Sequence, residues 1–143
     1  MKRSPELRNL SVDHHHGLLL ARKAKLVAAG QDDTPLPDMW KEAEEKFRFE
    51  LEPHFRIEEE VLGPALHAHG EIALVQRLHR EHEELRGTIK PGADRTPASL
   101  ANFGELLERH IRFEERELFE TAQRVLNPDE LSAVAAACQA RYS

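Results

Sequence analysis

The chain has 143 residues, 40% apolar and 32% charged, a composition typical of a single soluble domain of exposed, charged helices. Its formal net charge of −6 argues against non-specific binding to the phosphates of nucleic acids. The single cysteine, Cys138, excludes intramolecular disulfides, thiolate zinc sites and iron–sulfur clusters built from this chain alone. Any metal site must therefore use nitrogen and oxygen ligands, and we expect one domain over residues 1–143.

Apolar residues recur at helical spacing, and no alternating strand pattern competes with them. A first helix is predicted over residues 11–30, with Gly30 as its C-terminal stop. A second is predicted over residues 37–66. Pro53 lies inside that pattern and predicts a kink or local break there, and Pro64, after a glycine, marks another weak point.

A third helix is predicted over residues 70–89 and a fourth over residues 98–126. Asn127, followed by a proline, is typical of an N-cap and opens a short fifth helix over residues 128–141. The pattern predicts an all-α fold, an antiparallel up-down four-helix bundle with a short C-terminal fifth helix.

The longest uninterrupted apolar stretch, residues 133–138, is far shorter than the roughly 20 residues needed to cross a bilayer. The N-terminus leads into polar residues and has no pattern of a secretory signal. We therefore expect a cytoplasmic protein that binds neither membrane nor nucleic acid, with an unidentified protein partner left open.

One short motif occurs twice. The sequence His-Phe-Arg-Ile-Glu-Glu beginning at His54 is nearly repeated as His-Ile-Arg-Phe-Glu-Glu beginning at His110. The first and third helices each carry an acidic residue followed by histidine: Asp13-His14 and Glu81-His82. The repetition predicts two helix hairpins of similar design, packed as a pseudo-symmetric bundle.

Spacing places histidines and glutamates on the same helix faces. Residues four apart point the same way on an α-helix, so His54 lies with Glu58 and His110 with Glu114. Both pairs continue apolar stripes, as does His82 on the third helix. Buried carboxylates without a compensating charge cost several kcal/mol each, and a pair of metal cations would relieve that cost.

The first helix offers three consecutive histidines. His15 has Leu18 and Leu19 three and four residues further along, so it is the preferred inward residue. His14 remains a serious alternative, and His16 is expected to face outward. A single His-x-x-x-Glu pair is usually solvated, but two such pairs in apolar stripes favour metal binding.

The predicted metal ligands are four imidazoles and two carboxylates: His15, His54, Glu58, His82, His110 and Glu114. The two glutamates are placed to bridge two ions. Mixed histidine and carboxylate ligation without sulfur suits iron, with manganese or zinc possible. The remaining histidines, His67, His69 and His79, are expected at the surface.

The sequence resembles the hemerythrin-like family, also called HHE cation-binding domains. The resemblance runs from the Asp-His-His sequence at Asp13 through the motif at His54 and the pair at His82 to the motif at His110. It implies two iron ions with an oxo or hydroxo bridge and bridging carboxylates. Such a centre binds or reacts with dioxygen, nitric oxide or peroxide.

Two departures from the oxygen-carrying members stand out. Those members have a second histidine four residues before the third-helix ligand, where this chain has Leu78. They also carry a histidine and an aspartate five apart on the last helix, where His110 and Glu114 are four apart. The missing imidazole favours redox chemistry, small-gas sensing or iron handling over reversible oxygen carriage, and His79 could replace it only if the helix rotated.

Three hypotheses follow from the sequence. The leading one is a di-iron protein that binds or reacts with a diatomic gas or peroxide. The second is an iron sensor or buffer without catalytic turnover, and the third is a metal-free helical interaction module. No side chain stands out as an acid, base or nucleophile independent of the metal, so no enzyme activity is assigned.

Overall fold

The computed structural model describes residues 2–141 as helices joined by short turns, with no strand in that range, so the all-α prediction is confirmed. A 3₁₀ turn, Pro5–Leu7, precedes the first helix. The α-helices are α1 (Arg8–Ala28), α2 (Leu36–Lys46), α3 (Glu52–Ile57), α4 (Gly63–Ala68), α5 (Ile72–Ile89), α6 (Pro97–Phe113), α7 (Phe119–Val125) and α8 (Pro128–Arg141). Within the same range, no helix is both long and apolar enough to cross a membrane.

Three π-helical segments join consecutive α-helices without a turn between them: Phe47–Leu51 joins α2 to α3, Glu58–Leu62 joins α3 to α4, and Glu114–Leu118 joins α6 to α7. The chain is therefore continuously helical over Leu36–Ala68 and again over Pro97–Val125. Two of these segments lie where prolines predicted a kink or a weak point. The helix passes through them instead of breaking.

The wider π turn accommodates both prolines. Glu52 and Gly63 each precede a proline, and each donates its backbone N–H to a carbonyl five residues back, on Phe47 and Glu58 respectively. The extra residue in the turn relieves the crowding that a proline ring causes in an α-helix. The third segment, Glu114–Leu118, is not followed by a proline.

Helix ends follow local chemistry. Gly30 ends α1 with φ of +73°, a conformation that glycine adopts without strain. At the start of α8, the backbone N–H of Glu130 donates to the Asn127 side chain at 2.8 Å, and the Asn127 N–H donates back to the Glu130 carboxylate at 2.9 Å. These reciprocal bonds form the N-cap expected at Asn127.

Two small residues bring α1 and α6 together. A Cβ built on Gly17 would lie 2.8 Å from Ile111, and one built on Gly104 would lie 2.8 Å from the carbonyl oxygen of Ala21. At Gly104, where the neighbouring atom belongs to the backbone, only glycine permits so close an approach. Because the earlier residue of α1 meets the later residue of α6, the two helices run in opposite directions.

The buried apolar residues form two clusters. One includes Leu7, Leu62, Leu78 and Phe119, and the other includes Trp40, Phe55, Leu85, Phe103 and Leu107. Buried histidines and glutamates contact both clusters, since Phe55 of one cluster stacks on His82 and Phe119 of the other stacks on His14.

Candidate metal centre

Six donor side chains meet in the interior of the protein. They are His14, His54, Glu58, His82, His110 and Glu114, and none is more than 4% exposed. Five of them are residues that the sequence analysis selected as ligands. The sixth is His14, the alternative that it left open on the first helix.

The expectation that His15 faces the interior is wrong, because its side chain is exposed. That expectation rested on Leu18 and Leu19 being buried, but they are 37% and 54% exposed. The face that α1 buries carries His14, Gly17, Ala21 and Ala24 together with Leu10 and Leu20, and the glycine and alanines lie where α6 approaches closely. The predicted surface positions of His67, His69 and His79 agree with their exposure.

The donors fall into two groups of four that share both carboxylates. His14 and His54 form one group with Glu58 and Glu114, and His82 and His110 form the other with the same two glutamates. Within each group the ligand atoms all lie within 4.8 Å of one another. This spacing suits two neighbouring cations with both carboxylates between them.

Each histidine directs its Nε2 atom at the shared carboxylates. The distances are 2.6 Å from His14 to Glu114, 3.0 Å from His54 to Glu58, 3.2 Å from His82 to Glu58, and 2.6 Å from His110 to Glu114.

The opposite ring nitrogen of each histidine meets an outer carboxylate. The Nδ1 contacts are His14 with Glu115 at 2.5 Å, His54 with Asp13 at 3.0 Å, His82 with Glu59 at 2.6 Å, and His110 with Glu81 at 2.7 Å. An Nδ1–H that donates to a carboxylate fixes the tautomer of a neutral imidazole and leaves the Nε2 lone pair facing the centre.

An arginine pairs with each outer carboxylate. The pairs are Arg3 with Glu115 at 3.2 Å, Arg141 with Asp13 at 2.7 Å, Arg86 with Glu59 at 2.9 Å, and Arg77 with Glu81 at 2.8 Å. Sequence reasoning assigned no role to these arginines. Only the Arg77 pair has a local signal, since its partner lies four residues further along the same helix.

The contacts repeat with the symmetry that the duplicated motif predicted. Asp13 on α1 holds His54 on the second long helix, and Glu81 on α5 holds His110 on α6 in the same way. The glutamates that follow the shared carboxylates also contact distant histidines: Glu59 contacts His82 on α5, and Glu115 contacts His14 on α1. The sequence signal for these contacts was therefore an acidic residue directly before a histidine. The acidic residue, however, contacts a histidine on a different helix and not the histidine that follows it.

The buried charges compensate one another. Burial would lower the pKa of His82, but its hydrogen bonds with Glu114 and Glu58 outweigh burial and raise it to about 10. Burial also opposes protonation of His110, whose pKa the charge of Glu114 raises to about 9. Burial would raise the pKa of Glu114, but the charges of His110 and His14 and its hydrogen bonds together outweigh burial and hold this pKa well below its ordinary value.

The hemerythrin HHE cation binding domain model matches residues 7–122 of the chain. The chain belongs to this family. No curated protein and no solved structure matches it.

The residues present fit the cations that hemerythrin-family domains bind. Glu58 Oε1 and His110 Nε2 are buried, and although they lie 3.2 Å from His82 Nε2 and 2.6 Å from Glu114, neither makes a well-oriented hydrogen bond among residues 2–141, so both atoms suit a bound cation. The donors are nitrogen and oxygen atoms alone, which suits iron, manganese or zinc. Protonated histidines can also compensate the carboxylates, so a metal must displace protons when it binds.

Aromatic and aliphatic side chains enclose the hemerythrin-family centre. The ring of Phe55 stacks on His82 with centroids 3.8 Å apart, and Phe119 stacks on His14 at 5.1 Å. Leu78 is completely buried, so the position where oxygen-carrying members have another histidine presents an apolar group. His79 is exposed and does not replace it.

Proposed function

We propose that this hemerythrin-family chain is a non-haem di-iron protein that binds or reacts with dioxygen, nitric oxide or peroxide. The observation that carries the proposal is the sharing of Glu58 and Glu114 by two groups of buried donors. In this proposal the two glutamates bridge the ions, and His14, not His15, is the ligand from α1. The protein scaffold would be an antiparallel up-down four-helix bundle with α8 as a short fifth helix.

The number of protein donors supports a reactive centre. Each group offers two imidazoles and two shared carboxylates, so each ion would keep positions open for water or a small ligand. Bound iron would supply affinity for the ligand and redox chemistry. Leu78 adds no donor, which favours redox chemistry or gas sensing over reversible oxygen carriage.

The surrounding residues would orient the ligands and exclude water. The outer carboxylates hold each imidazole by its Nδ1 atom, and Phe55 and Phe119 cover two of the rings. Manganese or zinc could occupy the same donors. A cytoplasmic location and a single domain over residues 1–143 stay predictions from the sequence.

Metal analysis tests the proposal most directly. Protein produced with iron should contain about two irons per chain and show near-ultraviolet charge-transfer bands. The reduced protein should form an optical adduct with nitric oxide. A metal-free protein with an unchanged melting temperature in chelator would refute it.

Two substitutions test the bridging role. Glu58→Ala and Glu114→Ala should each lose both irons, because each carboxylate belongs to both groups. Glu60→Ala is the matched control, since Glu60 lies on the same helix but is exposed. Retention of both irons in either bridging variant would contradict the shared-carboxylate arrangement.

A second candidate, iron sensing or buffering, has its own supporting observation. Arg141 on α8 pairs with Asp13, and Arg3 near the N-terminus pairs with Glu115, so both terminal segments contact the outer carboxylates. A change in metal occupancy could thereby reach the surface and be read by a partner. Stability that depends strongly on iron, without any gas adduct, would favour this candidate.

A further inference from the structure

A large open groove lies outside the metal centre. It has a volume of about 1060 Å³ and lies between the second long helix and the end of α5 with its following turn. Apolar side chains from both sides line it, among them Phe49, Pro53 and Ile89. The π segment Phe47–Leu51 contributes part of this lining, and such segments are frequent at functional sites. We call this feature the basic groove.

The charge of the basic groove is opposite to that of the protein. Six cationic side chains line it against three glutamates, although the chain as a whole carries −6. The six cations are Lys41, Arg48, Arg56, Arg86, Lys90 and Arg95. A ligand that complements this surface is therefore anionic.

Three of these cations already form ion pairs, and one of them, Arg56, lies 3.7 Å from Glu52. Arg86 bonds Glu52, Glu59 and Glu83, and Arg95 bonds Glu44 and several backbone carbonyls. Both arginines thus build the walls of the groove.

Lys41 and Lys90 differ from the arginines, because within residues 2–141 neither forms an ion pair or lies over an aromatic ring, and both are exposed. They are the cations available to a bound anion.

An aromatic side chain lines the same groove as these lysines. Phe49 is 67% exposed, an unusual position for so large an apolar side chain, and the guanidinium of Arg48 lies 5.2 Å from its ring centroid. The groove therefore combines a flat apolar surface with unpaired positive charge. The volume is in the range of sites that hold small organic ligands.

We propose that the basic groove binds a small anionic amphiphile. Its apolar body lies on Phe49 and Pro53, and its carboxylate, sulfonate or phosphate pairs with Lys41 and Lys90. The proposal does not depend on the metal, because these residues lie outside the six donors of the centre.

Isothermal titration calorimetry of the metal-loaded protein tests it with 8-anilinonaphthalene-1-sulfonate. This anion should bind saturably with one molecule per chain. N-phenyl-1-naphthylamine, which has the same rings without the sulfonate, should bind more weakly. Equal affinities for the two compounds would overturn the role of the charge.

Substitutions assign the site. The double variant Lys41→Glu/Lys90→Glu should weaken binding of the sulfonate by about tenfold and leave the neutral compound unaffected. Arg22→Glu/Arg124→Glu is the matched control, because it reverses two exposed charges outside the groove and should change neither affinity. Equal weakening in both double variants would overturn the proposed site.

A third variant tests the apolar contact. Phe49→Ala should weaken both compounds by about fivefold without a change in melting temperature, since Phe49 is exposed. Unchanged affinities would overturn the placement of the apolar body. Binding of hexaglutamate in place of the sulfonate, or a dimer that buries Phe49, would identify a different occupant and overturn the proposal.

Discussion

Replacement of His14 by alanine should destabilise the metal-free protein far more than replacement of its neighbour His15. The His14 ring contacts Glu114 at 2.6 Å and Glu115 at 2.5 Å, and it is 4% exposed. Removing one partner of a buried charged pair costs about 3 to 5 kcal/mol. His15 is exposed, so His15→Ala should change the free energy of unfolding by no more than about 0.5 kcal/mol.

This difference is measurable by thermal unfolding in chelator. For a domain of this size, 3 to 5 kcal/mol corresponds to a melting temperature lowered by about 10 to 15 °C. His14→Gln provides a second variant if the alanine protein does not fold, because the amide retains hydrogen-bonding groups at the same place.

The same pair of variants distinguishes the two histidines as ligands. His14 belongs to only one of the two donor groups, so His14→Ala should retain about one of two irons after gel filtration. His15→Ala should retain both. A His15→Ala protein that lost iron while His14→Ala kept its full content would refute the assignment of the inward face of α1.

Three further predictions concern the surroundings of the centre. In the metal-free protein, protonated His82 and His110 should contribute their full stabilisation below pH 6.5 and lose it as the pH rises through about 9 to 10. Urea unfolding at a series of pH values measures this loss. A urea concentration at half-unfolding that stays unchanged across this range would contradict the prediction. Glu81→Gln should weaken iron binding by about 10- to 100-fold in a competition titration while the helical circular dichroism stays the same, because it loosens the hold on His110. Gly104→Ala should destabilise the protein by about 1 to 3 kcal/mol, because the added methyl group would clash with α1. Gly87→Ala should stabilise the protein by about 0.5 to 1 kcal/mol, because the space around its Cβ is open. Equal effects of the two substitutions in thermal unfolding would refute the close approach of α1 and α6.

Local spacing determined much of the centre. Residues four apart on a helix share a face whatever surrounds them, so the pairing of His54 with Glu58 and of His110 with Glu114 followed from sequence alone. The near-identity of the two motifs also determined the pseudo-symmetry. The inward orientation of His82 followed from the apolar stripe of its own helix, because that stripe consists of large apolar residues that are clearly buried.

The orientation of α1 could not be obtained in the same way. Of its three consecutive leucines, Leu18 and Leu19 are exposed and only Leu20 is buried, so the positions of the leucines alone did not identify the buried face. Whether a helix buries its large or its small residues depends on how closely a neighbour approaches. Here Gly104 on α6 sets that distance.

The outer hydrogen bonds needed the tertiary structure for a related reason. Asp13 and Glu81 each precede a histidine in sequence, yet adjacent residues on a helix point in different directions and cannot contact each other's side chains directly. Each therefore reaches the histidine of another helix, and Arg141, 128 positions after Asp13 in the chain, completes one of these contacts. The sequence alone determined which residues share a face of one helix, because helical geometry is local, and the packing of separate helices decided which of those faces meet.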